Sequence, residues 1–175
     1  MNKVLIVDDE RAVRFALSEI LKKSGFEPLE AASGKEAIDM VRADLAEIVL
    51  LDVAMPGLNG IETLEELKKL NNNIPIIIIT GHGDITTAVQ AIKLGAYDFL
   101  TKPPQVDRLI VTIRRALERR ELQQSVAQLD QSVEASLEWT FGKSPSMVSV
   151  IQQIRQVAWS NFSVIIQGET GTGKS

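Results

Sequence analysis

Short apolar runs alternate with longer amphipathic segments through the first two thirds of the chain. Val4-Leu5-Ile6-Val7 is the first run. Ala12 to Leu21 follows, with Val13, Ala16, Leu17, Ile20 and Leu21 on one helical face. Gly25 stands where a glycine ends a helix. Phe26 to Ala31 reads as a weaker strand. Ser33 is placed to cap a helix running to about Ala43, with Glu36 at the capping-box position. Ile48 to Leu51 is the third run, and a helix from Asn59 or Gly60 carries Ile61, Leu64, Leu67 and Leu70. Pro75 and Ile76 to Ile79 form the fourth run, and a helix over Asp84 to Leu94 stops at Gly95. Tyr97 to Thr101 is the fifth run, and a long helix opens near Val106. The strand runs are apolar without alternation, which suits strands covered on both faces. The pattern predicts an α/β fold, a parallel sheet of β-α repeats. Right-handed crossovers then gather all the strand C-termini on one edge, where open α/β sheets carry their chemistry.

The helical pattern continues past the point where such a domain ends. Leu109, Ile110, Ile113 and Leu117 can pack on the sheet. Leu122, Val126, Leu129, Val133 and Ser136/Leu137 then recur at four- and three-residue spacing, with Gln, Ser, Glu and Asp between them. That is an a/d seam of about two heptads, and the step from Leu117 to Leu122 breaks its phase. Beyond it, Phe141 to Pro145 reads as a turn, Ser146 to Ala158 as an amphipathic helix and Phe162 to Ile166 as a strand. A glycine-rich segment, Gly168 to Ser175, follows.

Composition narrows the chemistry. The chain has 175 residues and a net charge of −4, with 45% hydrophobic and 24% charged residues, an ordinary globular balance. The mildly acidic balance gives no reason to expect direct DNA binding. There is no cysteine, so disulfides, thiolate metal sites and cysteine nucleophiles are excluded. One histidine excludes a His-rich zinc site. No apolar stretch approaches the ~20 residues of a membrane span. The first apolar run is too short for a signal sequence, so a cytoplasmic setting is expected.

Polar residues stand at the predicted strand ends. Asp8 and Asp9 follow the first strand, Asp52 the third, Thr80 the fourth and Lys102 the fifth. Taken singly, such an Asp also serves as a helix cap or turn residue, and Thr80 beside Gly81 as a turn. Taken together on one edge, three carboxylates repel one another, and a hard divalent cation such as Mg²⁺ relieves that repulsion through oxygen ligands. Lys102 adds a compact positive charge and Thr80 a hydroxyl donor. The set suits transfer of a phosphoryl group to Asp52, with developing oxygen charge neutralised by the cations. His82 reads as a surface loop residue, Met55-Pro56-Gly57 as a turn, and Asp84 as a helix cap.

VLIVDDE, IVLLDVAMPGLNG, IIIITGHGD and GAYDFLTKP occur in order. Over about residues 1–120 the chain closely resembles the receiver domain of two-component response regulators. The resemblance implies a flavodoxin-like (βα)5 fold with strand order 2-1-3-4-5. It implies that Asp52 takes phosphate from a phosphohistidine of a sensor histidine kinase. Asp9 would bind Mg²⁺ directly, Asp8 through water, and the Ala54 carbonyl would complete the protein ligands. Thr80 and Lys102 would bind the phosphoryl oxygens. Phe99 would be the aromatic switch, and Lys102-Pro103 the bond that is commonly cis.

Gly168-Glu169-Thr170-Gly171-Thr172-Gly173-Lys174-Ser175 fits the phosphate-binding pattern G-x-x-x-x-G-K-[ST] after a predicted strand. Main-chain N–H groups would face a phosphate, Lys174 would reach the β/γ oxygens and Ser175 would bind Mg²⁺. FGKSPSM and VIIQGETGTGKS resemble the start of the AAA+ ATPase domain of sigma-54-dependent transcription activators. Ser175 departs from the glutamate usual in that family. The expected organisation is a receiver domain over 1–120, a helical coiled-coil linker over 121–138, and an ATPase fragment over 139–175. The rest of the ATPase domain is missing, so a truncated chain unable to hydrolyse ATP is expected. ATP with Mg²⁺ would act only in the full-length protein. The implied partners are the sensor kinase, a second copy of the chain through receiver and linker, and sigma-54 RNA polymerase in the full-length protein. Two other readings stay open: a P-loop NTPase with a regulatory domain, and a stand-alone receiver acting by protein binding.

Overall fold

A computed structural model of the protein describes residues 1–81 and 85–141, with 144, 149, 150 and 153. It divides into two units, Met1–Gln124 and Ser125–Ser175. The first unit is five β-α repeats: β1 (Lys3–Val7), α1 (Arg11–Lys23), β2 (Glu27–Ala31), α2 (Gly34–Arg42), β3 (Ile48–Asp52), α3 (Gly60–Leu70), β4 (Ile76–Thr80), α4 (Ile85–Lys93), β5 (Asp98–Thr101) and α5 (Val106–Phe141). All neighbouring strands pair in parallel, in the order β2-β1-β3-β4-β5. The fold class and strand order are those expected from the sequence.

Two apolar clusters lie on the two faces of the sheet, because successive side chains of one strand point to opposite sides. Leu5, Val7, Val49, Leu51, Ile76 and Ile78 join Ala37, Leu64 and Leu67 of α2 and α3. Val4, Ile6, Ile48, Leu50, Ile77 and Ile79 join Leu17 and Leu21 of α1 and Leu109 and Ile113 of α5. Every residue of β3 and β4 is buried, which explains why those runs show no polar alternation.

Local signals account for the helix starts, with corrections. Ser33 caps α2 by accepting from the Glu36 N–H, but Glu36 turns back to the Ala32 N–H rather than to its cap residue. The full capping box forms at α3, where Asn59 and Glu62 exchange bonds of 2.9 and 3.1 Å. On α1, Ala16 is exposed and Ser18 is buried, the reverse of a purely apolar face. Ser18 is admitted because its hydroxyl donates to Glu30 of β2 at 2.7 Å. Leu70 is exposed at the end of α3.

The long helix α5 runs unbroken from Val106 to Phe141, so Phe141 is helical rather than part of a turn. Its burial changes along its length. Leu109, Ile113, Ala116 and Leu117 lie in the core, whereas Leu122 and Val126 are 63% and 59% exposed. The phase break after Leu117 therefore marks where the helix leaves the sheet. The side chains of Leu129, Val133, Ser136 and Leu137 lie outside the described residues, as do His82, the Asp84 cap, the predicted strand Phe162–Ile166 and the segment Gly168–Ser175.

Candidate functional site: a carboxylate cluster at the sheet edge

The parallel topology brings the sequence-predicted polar residues to one edge. Asp52 is the last residue of β3 and Thr80 the last of β4, while Asp8 and Asp9 leave β1 and Lys102 leaves β5. Asp8, Asp9 and Asp52 each present a carboxylate oxygen, and these oxygens all lie within 4.8 Å of one another. Asp8 and Asp52 are buried, at 1% and 3% exposure, and Asp9 is exposed. Such crowding of like charges is unfavourable without a cation.

Lys102 supplies one. Its ammonium lies 2.6 Å from Asp8 Oδ2 and 2.8 Å from Asp52 Oδ2. Burial pulls the Lys102 pKa down, but hydrogen bonds to Asp52 and Asp8, with their charges, outweigh it and hold the pKa above its ordinary value. The remaining oxygens are also engaged. Asp8 Oδ1 accepts from the Glu10 N–H at 2.9 Å, and Asp52 Oδ1 accepts a longer 3.3 Å bond from the Ala54 N–H. The Lys102 N–H bonds the Thr80 carbonyl at 2.7 Å, which ties the start of the β5–α5 loop to β4. The Lys102-Pro103 bond is cis.

The loop after β1 is strapped by a residue that motif reading passed over. Arg14 Nη1 donates to the carbonyls of Asp8 at 2.7 Å and Asp9 at 3.1 Å. Its Nε faces Glu30 at 3.4 Å, and Glu30 in turn accepts from Ser18. The signal was present in the sequence, since Arg14 lies one turn into the helix that follows the acidic pair. It was hidden because its partners are main-chain carbonyls and an acid on another strand.

Gly60 serves Asp52 from behind. A Cβ on Gly60 would lie 2.4 Å from the Asp52 carbonyl oxygen and 2.5 Å from Val53 Cα. Only glycine lets α3 begin that close to the end of β3. Phe99 is partly buried against the cluster that includes Val49, Leu51 and Ile78. The Thr80 side chain is buried, and among the described residues its hydroxyl makes one long contact, 3.5 Å to the Gly81 carbonyl.

The donor set fits a hard divalent cation: three carboxylates, oxygen only, converging at the mouth of the sheet. Lys102 holds one oxygen of Asp8 and one of Asp52, which leaves the Asp9 side of the cluster as the approach for an ion.

A doubly covered parallel sheet with this edge defines a class, and the chain matches the response regulator receiver domain over residues 4–114. It belongs to the response-regulator receiver family. Residues 140–175 match the sigma-54 interaction domain. The chain is 40% identical over 173 residues to the C4-dicarboxylate transport transcriptional regulatory protein DctD of Rhizobium meliloti, covering 98% of this chain and 38% of that protein. It is 35% identical to the regulatory protein AtoC of Escherichia coli, again spanning 38% of that relative's length. Among solved structures, NtrX from Brucella abortus in complex with ADP superposes with a TM-score of 0.70 at 37% identity, over 90% of this chain and 34% of that one. A receiver domain protein from Clostridium thermocellum gives 0.67 at 34% identity, over 70% of this chain and 99% of that one. The chain thus carries a response-regulator receiver domain followed by a segment similar to the start of a sigma-54 interaction domain, and it spans about 38% of the length of the curated relatives it matches. No helix among the described residues is long and apolar enough to cross a membrane.

Proposed function

We propose that Asp52 is the phosphoacceptor of a Mg²⁺-dependent switch driven by a sensor histidine kinase. The observation that carries this is the Lys102 ammonium bridging buried Asp8 and Asp52, with Asp9 beside them. An Asp52 carboxylate oxygen attacks the phosphorus of a phosphohistidine. The P–N bond breaks, and the imidazole nitrogen leaves with the electron pair and takes up a proton. Asp9, Asp52 and the Ala54 carbonyl, with Asp8 through water, would hold Mg²⁺, which would supply positive charge to the transferred phosphoryl group. Lys102 exchanges its Asp52 contact for a phosphoryl oxygen. The Thr80 hydroxyl donates to another, a role suited to a buried hydroxyl whose present contact is long.

The added phosphoryl group redistributes two states of the domain. Thr80 moves toward the edge, and Phe99 follows into the space it leaves. The surface of α4, β5 and α5 changes with it. The helix α5 carries that change onward, and its exposed Leu122 and Val126 support association of two copies through receiver and linker.

The domain reading is a receiver over 1–120, a linker over 121–138 and the start of an ATPase domain over 139–175. Gly168, Gly171, Gly173, Lys174 and Ser175 form the nucleotide-phosphate loop of that domain, a reading supported by the ADP complex of NtrX. The receiver is read as controlling an ATPase domain of this kind, which acts on sigma-54 polymerase in the cytoplasm. The chemistry of residues 1–120 is phosphoryl acceptance at Asp52.

The test is intact-mass spectrometry after incubation with Mg²⁺ and acetyl phosphate, with gel filtration of the same samples. One phosphoryl adduct is expected, absent in Asp52→Asn and absent when EDTA removes Mg²⁺. A folded protein that gains no adduct, or an Asn variant that gains the same one, overturns the proposal.

A further inference from the structure

The opposite edge of the sheet carries a second concentration of charge. A concave pocket of about 320 Å³ opens at the amino-terminal ends of β4 and β5. Three cations line it: Lys68 from the last turn of α3, and Arg119 and Arg120 from α5. Tyr97, Asn73 and Gln123 add an aromatic wall and amide groups. Among the described residues no carboxylate lines this pocket.

The cations are held in place by neutral partners. Lys68 Nζ donates to the Asn72 carbonyl at 3.1 Å and the Ile74 carbonyl at 2.9 Å, so among the described residues one of its three N–H donors is uncommitted. Its stem lies against Gly95, whose Cβ position would be 3.7 Å from Lys68 Cε. Arg120 Nη1 donates to the main-chain carbonyl of Glu47. The Arg119 guanidinium sits over the Tyr97 ring at 5.9 Å and has no carboxylate partner among the described residues. Each group is therefore oriented, yet among the described residues none of the three has its charge neutralised by an ion pair. Burial, and then the nearby Arg119 charge, lower the pKa of Lys68, which shows that the cations feel one another.

We infer that this pocket is a binding site for a small multivalent oxyanion, one carrying two or more phosphate or carboxylate groups. Fixed guanidinium forks and a positioned ammonium are what such a ligand needs. The volume is at the low end of small-ligand sites, roughly 300–1,000 Å³. The ligand relieves the repulsion among Lys68, Arg119 and Arg120. It also bridges the α3–β4 loop, the turn before β5 and α5, so it acts where α5 departs from the sheet. The pocket lies about one strand length, roughly 15–17 Å, from the carboxylate cluster. The two sites are therefore distinguishable by position.

The test is a two-dimensional amide NMR titration of the 175-residue chain without Mg²⁺ and at constant ionic strength. Inorganic pyrophosphate and citrate are the probes, and acetate is the monovalent control. Saturable shifts are expected at Gly95, Ala96, Tyr97 and Arg119, with little response to acetate. A response to both probes marks recognition of charge; pyrophosphate alone marks ligands with adjacent phosphate groups, and citrate alone polycarboxylates. Arg119→Gln should weaken binding at least about tenfold while leaving the rest of the spectrum in place. Lys68→Met provides the second variant, with retention of the remaining spectrum again showing that it folds. Shifts confined to residues 168–175 or to Asp8, Asp52 and Lys102 overturn the inference. So does a response that acetate reproduces, or one that both variants retain unchanged.

Discussion

Replacing Lys102 by Met removes the only cation that contacts both Asp8 and Asp52 among the described residues. Charge-assisted hydrogen bonds of this kind contribute roughly 1.5–3 kcal/mol each. Stranding a buried charge costs roughly 3–5 kcal/mol. Those values do not add, because the Lys102 side chain is 22% exposed and Asp9 opens the cluster to water. Solvent screening brings the expected loss near pH 8 to about 3 kcal/mol, a fall in Tm of about 10 °C for a domain of this size. The pH dependence follows from the sign of the change. Without Lys102 the facing carboxylates repel, and that repulsion exists only in the folded state, where binding a proton relieves it. The folded variant then binds more protons than the unfolded chain on the alkaline side of the ordinary carboxylate range. Its stability falls as pH rises through that window. The deficit relative to wild type is therefore smallest near pH 4 and complete by pH 8. Wild-type Lys102, whose pKa is raised, keeps its stabilising contribution below its ordinary value of 10.5 and loses it only as pH climbs through the raised value. Mg²⁺ at about 100 times its Kd should return about 2.7 kcal/mol to the variant. Urea denaturation at pH 4.5 and pH 8, with and without Mg²⁺, measures all of this. An equal deficit at both pH values that Mg²⁺ leaves untouched would refute the electrostatic account.

Three further perturbations test separate parts of the structure. Arg14→Ala removes the strap on the Asp8 and Asp9 carbonyls and should weaken Mg²⁺ binding roughly tenfold by calorimetric titration; reduced stability with unchanged Mg²⁺ affinity would assign Arg14 to folding alone. Gly60→Ala places a methyl group against the Asp52 carbonyl and Val53, so chemical denaturation should show a loss of about 2–3 kcal/mol, together with slower phosphorylation of Asp52. Full stability would mean that α3 shifts freely. Leu122→Asn with Val126→Asn leaves the first domain's core intact, since both side chains are exposed. On the proposed interface, analytical ultracentrifugation should show the phosphorylated wild type as a dimer and this variant as a monomer while adduct formation persists, and the same assembly state in both would refute an interface at Leu122 and Val126.

Much of the site was legible because its residues mark strand ends. Asp52 and Thr80 follow apolar runs long enough to identify a buried parallel strand, Lys102 follows a shorter mixed one, and parallel topology sends every such end to one edge. Arg14 and Glu30 were not legible. Their roles depend on main-chain carbonyls and on the pairing of β2 beside β1, neither of which leaves a mark in residue type. Ala16 was misplaced on the buried face and Ser18 left out of it for a related reason, since helical periodicity identifies a buried face but not a buried hydrogen bond. The pocket at the other edge was hidden further still. Lys68 and Arg119 are separated by half the domain, and each alone reads as a surface charge on an amphipathic helix.

The sequence by itself determined the order of elements, the strand ends that carry chemistry, and the point at which α5 changes face. Those are local or periodic properties, set by burial on a repeating backbone. Tertiary structure alone decided that Lys102 bridges Asp8 and Asp52, that Gly60 admits α3 against Asp52, and that three cations share one pocket. These depend on distances between residues far apart in the chain, which exist only once the strands have paired and the helices have covered them.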